Sequence, residues 1–466
     1  MPSVRFISLG CPKNLVDSEV MLGRLHEAGY QIASDGQPAD IFIINTCCFI
    51  KSATEESEDI IRQARAMKQN GKYKRLVVAG CLPQRLLTAK GFVSNGYDDI
   101  DALVGVFNRD KIVEVCQSLL GESNDYRNKW LSMPLRAARR DNIRFQITPK
   151  HYAYLRIAEG CNNRCSYCVI PQLHGPYRSK PMSQVIKEAE ALVAAGAVEL
   201  NLIAQDTTSY GRDLYKKTSL IELLKRLSKI NGLKWIRLLY AYPHYFSNEL
   251  IEVVAEIPQV VKYIDLPIQH ISGKILKLMR RKTSRQEIVK LIDRLRERIK
   301  GVVLRTSVIV GFPGEDESDF TELYDFIKEV RFERLGVFKY SAEAGTQAAQ
   351  LSGQITESVK QERFNRIMKL QQGIAFHVDN QLNGRNIPVI IEAVSKKGVW
   401  LGRTYGDAPE VDGNIFVSST RPAERSHRGQ RSPVPNGANQ SVEIGKIYNV
   451  RVTGSAGYDL IGTIHK

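Results

Sequence analysis

The chain lacks any long apolar run. None of its 466 residues lies in an uninterrupted hydrophobic stretch near the ~18 residues a membrane-spanning helix needs, so no span is expected. The opening MPSVRFISLGCPKN has no basic stretch leading into an apolar one, so no secretory leader is expected and the reading is a cytoplasmic protein. Disorder does not fit a composition that is 43% hydrophobic and 25% charged. The length suits about two to four domains with real cores. Eight cysteines in a cytoplasmic chain of this size point away from a disulfide framework and toward metal or redox chemistry.

The most informative absence is local. The stretch EGCNNRCSYC (159–168) sets Cys161, Cys165 and Cys168 in a C-x3-C-x2-C pattern with no fourth ligand. Structural zinc takes four protein ligands, and this spacing matches neither a zinc ribbon nor a zinc finger. A cubane iron–sulfur cluster is normally held by four thiolates. Three thiolates leave one iron open to a substrate or cofactor.

What is present divides into three segments. In residues 1–120, strand-like runs VRFISLGC (4–11), IFIINTC (41–47), RLVVAGC (75–81) and DALVGV (101–106) alternate with helical patterns from Asp17 to about Ala28 and on to about Gln69. This alternation predicts a parallel α/β sheet. The first three runs end in Cys11, Cys47 and Cys81. Ligands bind at the carboxyl edge of open parallel sheets, so three cysteines distant in sequence are expected to meet there as a metal or cluster site. Cys48, and Cys116 in KIVEVCQSLL, read as packed thiols.

Residues 121–146 read as a basic linker. The second segment, 147–375, has six strand candidates: YAYLRIAEG, VELNLIAQD, KWIRLLYAYP, KYIDLPIQH, VVLRTSVIVGF and RLGVFKYS. Amphipathic helices such as 183–195, 219–229, 284–299 and 317–330 separate them. Six β/α units predict a partial TIM-like (β/α)6 barrel with its chemistry at the strand C-termini. Those ends carry Cys161, Gln205, Asp206, Tyr242, Gln269, His270 and the GFPGE turn (311–315). The third segment, 376–466, shows five short strands and reads as a small OB-like β-barrel. Within it, 419–441, with four arginines, is expected to be a flexible loop.

The formal net charge is +16, unevenly spread. Residues 1–120 hold 14 basic and 14 acidic side chains, whereas 121–180 hold 11 basic against 4 acidic, a net +7 around the cysteine motif. A basic surface there favours an anionic partner such as RNA or a ribonucleoprotein.

With Tyr167 before its last cysteine, the three-cysteine motif resembles the signature of the radical S-adenosylmethionine (SAM) superfamily. The resemblance implies a 4Fe–4S cluster whose open iron chelates the methionyl part of SAM, which is cleaved to a 5′-deoxyadenosyl radical. It places Tyr167 near the adenine. The turn VIVGFPGE (308–315), with Gly311 and Gly314, would pack on SAM, since glycine lets backbone approach a ligand closely. Gln205 faces the same way. Arg178 and Ser179 are candidates to hold the SAM carboxylate or the partner.

The whole chain is similar to the methylthiotransferase family, which has an N-terminal domain with a second three-cysteine 4Fe–4S cluster, a radical SAM barrel and a C-terminal TRAM β-barrel. GCPKN, NTC and AGC-x-PQR carry that match, and the family's cysteines fall on Cys11, Cys47 and Cys81. GCPKNLVDSE (10–19), IDLPIQHIS…ILKLMRR (264–281) and PEVDG (409–413) resemble the branch acting on an aspartate of the twelfth small-subunit ribosomal protein. The basic 419–441 insertion departs from it. The implied activity is addition of a methylthio group to the aspartate β-carbon, with two 4Fe–4S clusters and SAM. The implied partners are that protein or the assembled small subunit, contact with ribosomal RNA, an electron donor such as flavodoxin, and a sulfur source. The alternatives are a transfer-RNA methylthiotransferase acting on adenosine and a non-catalytic RNA-binding protein with structural metal sites.

Overall fold

The computed structural model describes all residues except 35, 89–90, 93–95, 122–129, 133–140, 396–397, 419–441 and 465–466. The expected flexible loop at 419–441 lies outside the described residues. No helix among them is long and apolar enough to cross a membrane.

The N-terminal sheet is parallel throughout, in the order Gln31–Ile32, Ser3–Ser8, Ala39–Thr46, Tyr73–Gly80, Ala102–Gly105. ADIFIINT (39–46) is buried at seven of its eight residues, as an inner strand covered on both faces requires. The first helix, Pro12–Glu27, begins five residues before the expected start. Pro12 accounts for this: its fixed φ and missing N–H suit the first helical turn.

The six expected strands of the second segment form one parallel sheet in sequence order: Tyr152–Arg156, Glu199–Ile203, Trp235–Leu238, Val260–Asp265, Val303–Val310 and Arg334–Lys339. Its outer face packs on the intervening helices in the main apolar core. The inner face carries Tyr152, Tyr154, Trp235, Val261 and Tyr263. Helix Glu357–Gln381 then runs unbroken across residue 375. It leads to a closed five-stranded barrel of Asn386–Val394, Trp400–Thr404, Ile415–Ser418, Ile447–Ala456 and Asp459–Ile464.

That last barrel inserts a loop into the open half-barrel. Glu410 accepts hydrogen bonds from Tyr152 (3.0 Å) and Tyr154 (3.3 Å) on the inner face, and Asp412 accepts one from Tyr263 (2.6 Å). Asp407 pairs with Arg334 at 2.7 Å. Arg403 and Arg237 share the buried Glu199, and Ala408 and Ile390 join the inner apolar cluster. The PEVDG motif is therefore a stopper in the half-barrel.

The basic stretch 121–180 differs from its expected role as surface. Of its six described cations, Lys150 and Arg164 are exposed. Arg144 pairs with Glu19 inside the protein. Arg156, Arg178 and Lys180 are buried among carboxylates. The focus is Asp141, which pairs with Arg109 from the N-terminal segment, Arg156 (2.8 Å) and Lys180 (2.5 Å). Asp17 joins Arg109 and Arg156, and Glu188 joins Lys180. Much of the described local charge thus fastens segments together.

Candidate active site

Cys11, Cys47 and Cys81 follow three strands that are direct neighbours in the sheet. Cys11 precedes helix Pro12–Glu27, and Cys81 opens the short helix Cys81–Leu86. Two of the three follow a glycine. Gly10 has φ +88°, and a Cβ there would lie 2.6 Å from Cys47 Cβ and 3.0 Å from its Sγ. Only glycine brings the first strand end against the second cysteine. Cys48 is fully buried in the apolar core beneath this edge, close to Cys81. Cys116 is buried in the other core of this segment.

Cys161, Cys165 and Cys168 follow the two-residue pairing of Ala158–Glu159 with Arg178–Ser179. Gly160 precedes the first of them at φ +73°, where a Cβ would meet Pro176 O at 2.1 Å. The loop is pinned on both sides. Asn163 donates to Asp206 Oδ2 (2.9 Å), Ser166 donates to Leu278 O (2.7 Å), and Arg281 Nη1 stands 4.0 Å from Cys165 Sγ. Burial raises the thiol pKa of Cys47 and Cys161 to about 11 and of Cys168 to about 12. These thiols hold their protons until a metal displaces them.

Contacts join the surroundings of the two cysteine sets. Cys81 Sγ lies 3.7 Å from Nε2 of His174, in the short helix Ile170–His174 just after Cys168. Arg85, on the helix that Cys81 opens, pairs with Glu343 (2.8 Å) beyond the last barrel strand. Lys13 places its Nζ 3.3 Å from the ring centroid of Tyr240, at the C-terminal end of the third barrel strand. Burial lowers the Lys13 pKa, and nearby Cys11, Asp265 and Cys47 oppose that shift. The N-terminal sheet edge therefore caps the C-terminal mouth of the half-barrel.

The remaining expected site residues fall in different places. Tyr167 packs its ring against Phe312 of the GFPGE turn (centroids 6.4 Å), and burial followed by Cys165 raises its pKa. Gln205 ends the second strand with a buried Oε1 that has no hydrogen-bond partner among the described residues. Arg178 donates to Pro176 O (2.8 Å) and His174 O (2.9 Å) and lies over Phe107, clamping the cysteine loop to the N-terminal segment. Ser179 is bound to Asp213. A Cβ at Gly311 would meet Lys360 Cγ at 2.2 Å, so its missing side chain makes room for that lysine. Gly314 donates to Gly353 O (2.9 Å). Lys13, His174, Tyr240 and Arg281 were not singled out from sequence; the first lies in GCPKN and the last in the quoted ILKLMRR.

This donor set fits cubane clusters. There are two groups of three thiols, each short of the four a cubane normally takes. Among the described residues no three ligating side chains converge tightly enough for a single ion. Thiols that each take a separate iron of a cube need not converge in that way. The unsatisfied Gln205 oxygen beside one group suits a polar ligand.

Comparison with known proteins agrees segment by segment. A family model described as "Radical SAM superfamily" matches residues 155–327. "Uncharacterized protein family UPF0004" matches 3–105, and "TRAM domain" matches 384–464. In the solved structures, the radical S-adenosylmethionine methyltransferase TsrM from Kitasatospora setae shares the fold at 14% identity and TM-score 0.54, over 82% of this chain and 90% of that one. Full-length similarity is much closer to curated proteins named "Ribosomal protein uS12 methylthiotransferase RimO". That of Acetivibrio thermocellus is 44% identical, covering 99% of this chain and 98% of the relative. That of Desulforamulus reducens is 45% identical, covering 100% of both. With 44–45% identity over essentially the whole length of both chains, the chain belongs to the uS12 methylthiotransferase (RimO) family.

Proposed function

We propose that the protein transfers a methylthio group to the β-carbon of an aspartate in ribosomal protein uS12. One observation carries this reading: the sheet edge bearing Cys11, Cys47 and Cys81 packs at the mouth of the half-barrel, where Cys81 lies 3.7 Å from His174, just after Cys168. When bound, two 4Fe–4S clusters and SAM would supply the radical and the methylthio chemistry. Cys161, Cys165 and Cys168 would hold one cluster, and Cys11, Cys47 and Cys81 the other.

The chain's own residues supply position and exclusion of water. Asn163 and Ser166 hold the cysteine loop against the barrel. Tyr167 closes the apolar side of the mouth together with Phe312. Gln205 offers a buried oxygen to a polar ligand. Arg281, within 4.0 Å of Cys165 and 4.1 Å of the Tyr242 ring centroid, sets a positive charge beside the thiolate group. This charge would make electron uptake there easier.

The test is anaerobic reconstitution with iron and sulfide, followed by incubation with SAM, reductant and uS12, and mass analysis of the substrate. A gain equal to one –SCH3 in place of one hydrogen on the aspartate is expected. Deoxyadenosine without that gain would redirect the chemistry to another substrate, with transfer RNA examined next.

A further inference from the structure

Most buried cations of this protein have a carboxylate. Arg109, Arg156, Lys180, Arg237 and Arg403 all make buried ion pairs. Lys13 is different. It is half-buried, its ammonium stacks on Tyr240, and it forms no ion pair with any described carboxylate. Asp265 is close enough to be felt without pairing with Lys13; its Oδ1 accepts from Arg305 Nη1 (2.9 Å) and its Oδ2 from the Tyr240 N–H (2.9 Å).

Tyr240 is itself held in an unusual state. Its φ is +60°, a left-handed conformation that strains a bulky residue and persists only where the surroundings enforce it. The Asp265 carboxylate, bonded to its N–H, is one such restraint. Such strain gathers at functional sites, and here it presents the ring to Lys13. A ring attracts an ammonium without supplying a formal negative charge of its own. Cys11 and Cys47 lie around Lys13 on one side, and Tyr240 and Asp265 on the other. Lys13 thus stands where the N-terminal sheet edge meets the C-terminal mouth of the half-barrel.

We infer that Lys13, braced by the Tyr240 ring, is the anchor for the side-chain carboxylate of the substrate. The inference rests on the proposed methylthio transfer to an aspartate. It makes Lys13 a specificity residue, because a charge-assisted bond to a carboxylate is not matched by a neutral amide or a base.

The test pairs enzyme variants with substrate variants. Reconstituted wild-type, Lys13→Met and Lys13→Arg proteins are titrated with uS12 and with uS12 carrying asparagine in place of the target aspartate. Methylthiolation KM and kcat are measured for the aspartate form. Wild type is expected to bind the aspartate form about 10- to 100-fold more tightly, the range of a hydrogen bond to a charged group. Lys13→Met should lose that preference and raise KM, with iron content and cluster absorption retained, and Lys13→Arg should recover most of it. An unchanged preference in Lys13→Met overturns the anchor while leaving methylthio transfer standing. Loss of iron from both Lys13 variants also overturns it, assigning the lysine to cluster assembly. If wild type adds no methylthio group to uS12, the proposed function fails and the anchor with it.

Discussion

Replacing Asp141 with asparagine should destabilise the protein severely, although the residue lies outside every sheet and carries no chemistry. Its carboxylate is shared by Arg109, Arg156 and Lys180, all buried. Burial alone would raise its pKa, but those cations override it and hold the carboxyl well below the usual range. In the surrounding network of described residues, Arg109, Arg156, Arg178 and Lys180 face Asp17, Asp110, Asp141, Glu159 and Glu188. Asparagine removes the one carboxylate that these three buried cations share. Breaking a buried pair by removing one partner costs about 3–5 kcal/mol, a large part of the 5–15 kcal/mol that holds a typical protein folded. Urea unfolding, followed through its first transition, should show a fall of that order. The double variant Asp141→Asn with Lys180→Met removes one of the cations left without that carboxylate and should regain more than half of the loss. A single variant within about 0.5 kcal/mol of wild type, the range of ordinary surface changes, would refute the reasoning. So would a double variant less stable than the single.

Gly10→Ala should remove the N-terminal cluster alone, because the new methyl collides with Cys47; iron content is expected to fall by half while the other cluster's spectrum persists. His270 gives a pH signature. Burial lowers its pKa from 6.5 to about 3, so the unfolded chain binds the proton first. The stability it contributes is full above about pH 6.5 and is lost as pH falls toward 3, by up to about 1.4 kcal/mol per pH unit. His270→Gln should flatten the slope of urea midpoint against pH in that window. Finally, Cys165→Ala should abolish SAM cleavage, whereas Cys47→Ala should preserve cleavage and lose methylthiolation. Equal loss of cleavage in both, measured as deoxyadenosine, would contradict separate roles for the two cysteine sets.

The longer strands were legible because they are apolar runs, and the parallel sheets followed from their alternation with helices, whereas the two-residue edge strand Gln31–Ile32 left no such run. Cys11, Cys47 and Cys81 were legible as strand-end residues. The interior charges were not. Arg144 finds Glu19 125 residues away, and Arg156 finds Asp17 on the first helix. Nothing local distinguishes such cations from solvated ones, so the basic stretch read as surface. Arg178 was placed correctly after the cysteine loop, yet a sequence does not reveal that backbone carbonyls take up its donors. Gly311 showed its need for space but not that Lys360 fills it. Lys13 was hidden for the opposite reason: what marks it is the carboxylate it lacks.

The stopper formed by PEVDG (409–413) makes the C-terminal barrel a poor candidate for exchange. A module joined by a tether can be traded between proteins as a cassette, whereas this one completes the interior of its neighbour. A graft from a relative must bring Glu410 and Asp412 together with the receiving Tyr152, Tyr154 and Tyr263, or leave hydroxyl groups stranded in an apolar hollow. From Asp412 the contacts continue through Arg305 (3.7 Å) and Asp265 (2.9 Å) to the backbone of Tyr240. Redesign of this barrel's binding surface is therefore safest on its outward strands, with the inserted loop treated as part of the catalytic half-barrel's own inheritance.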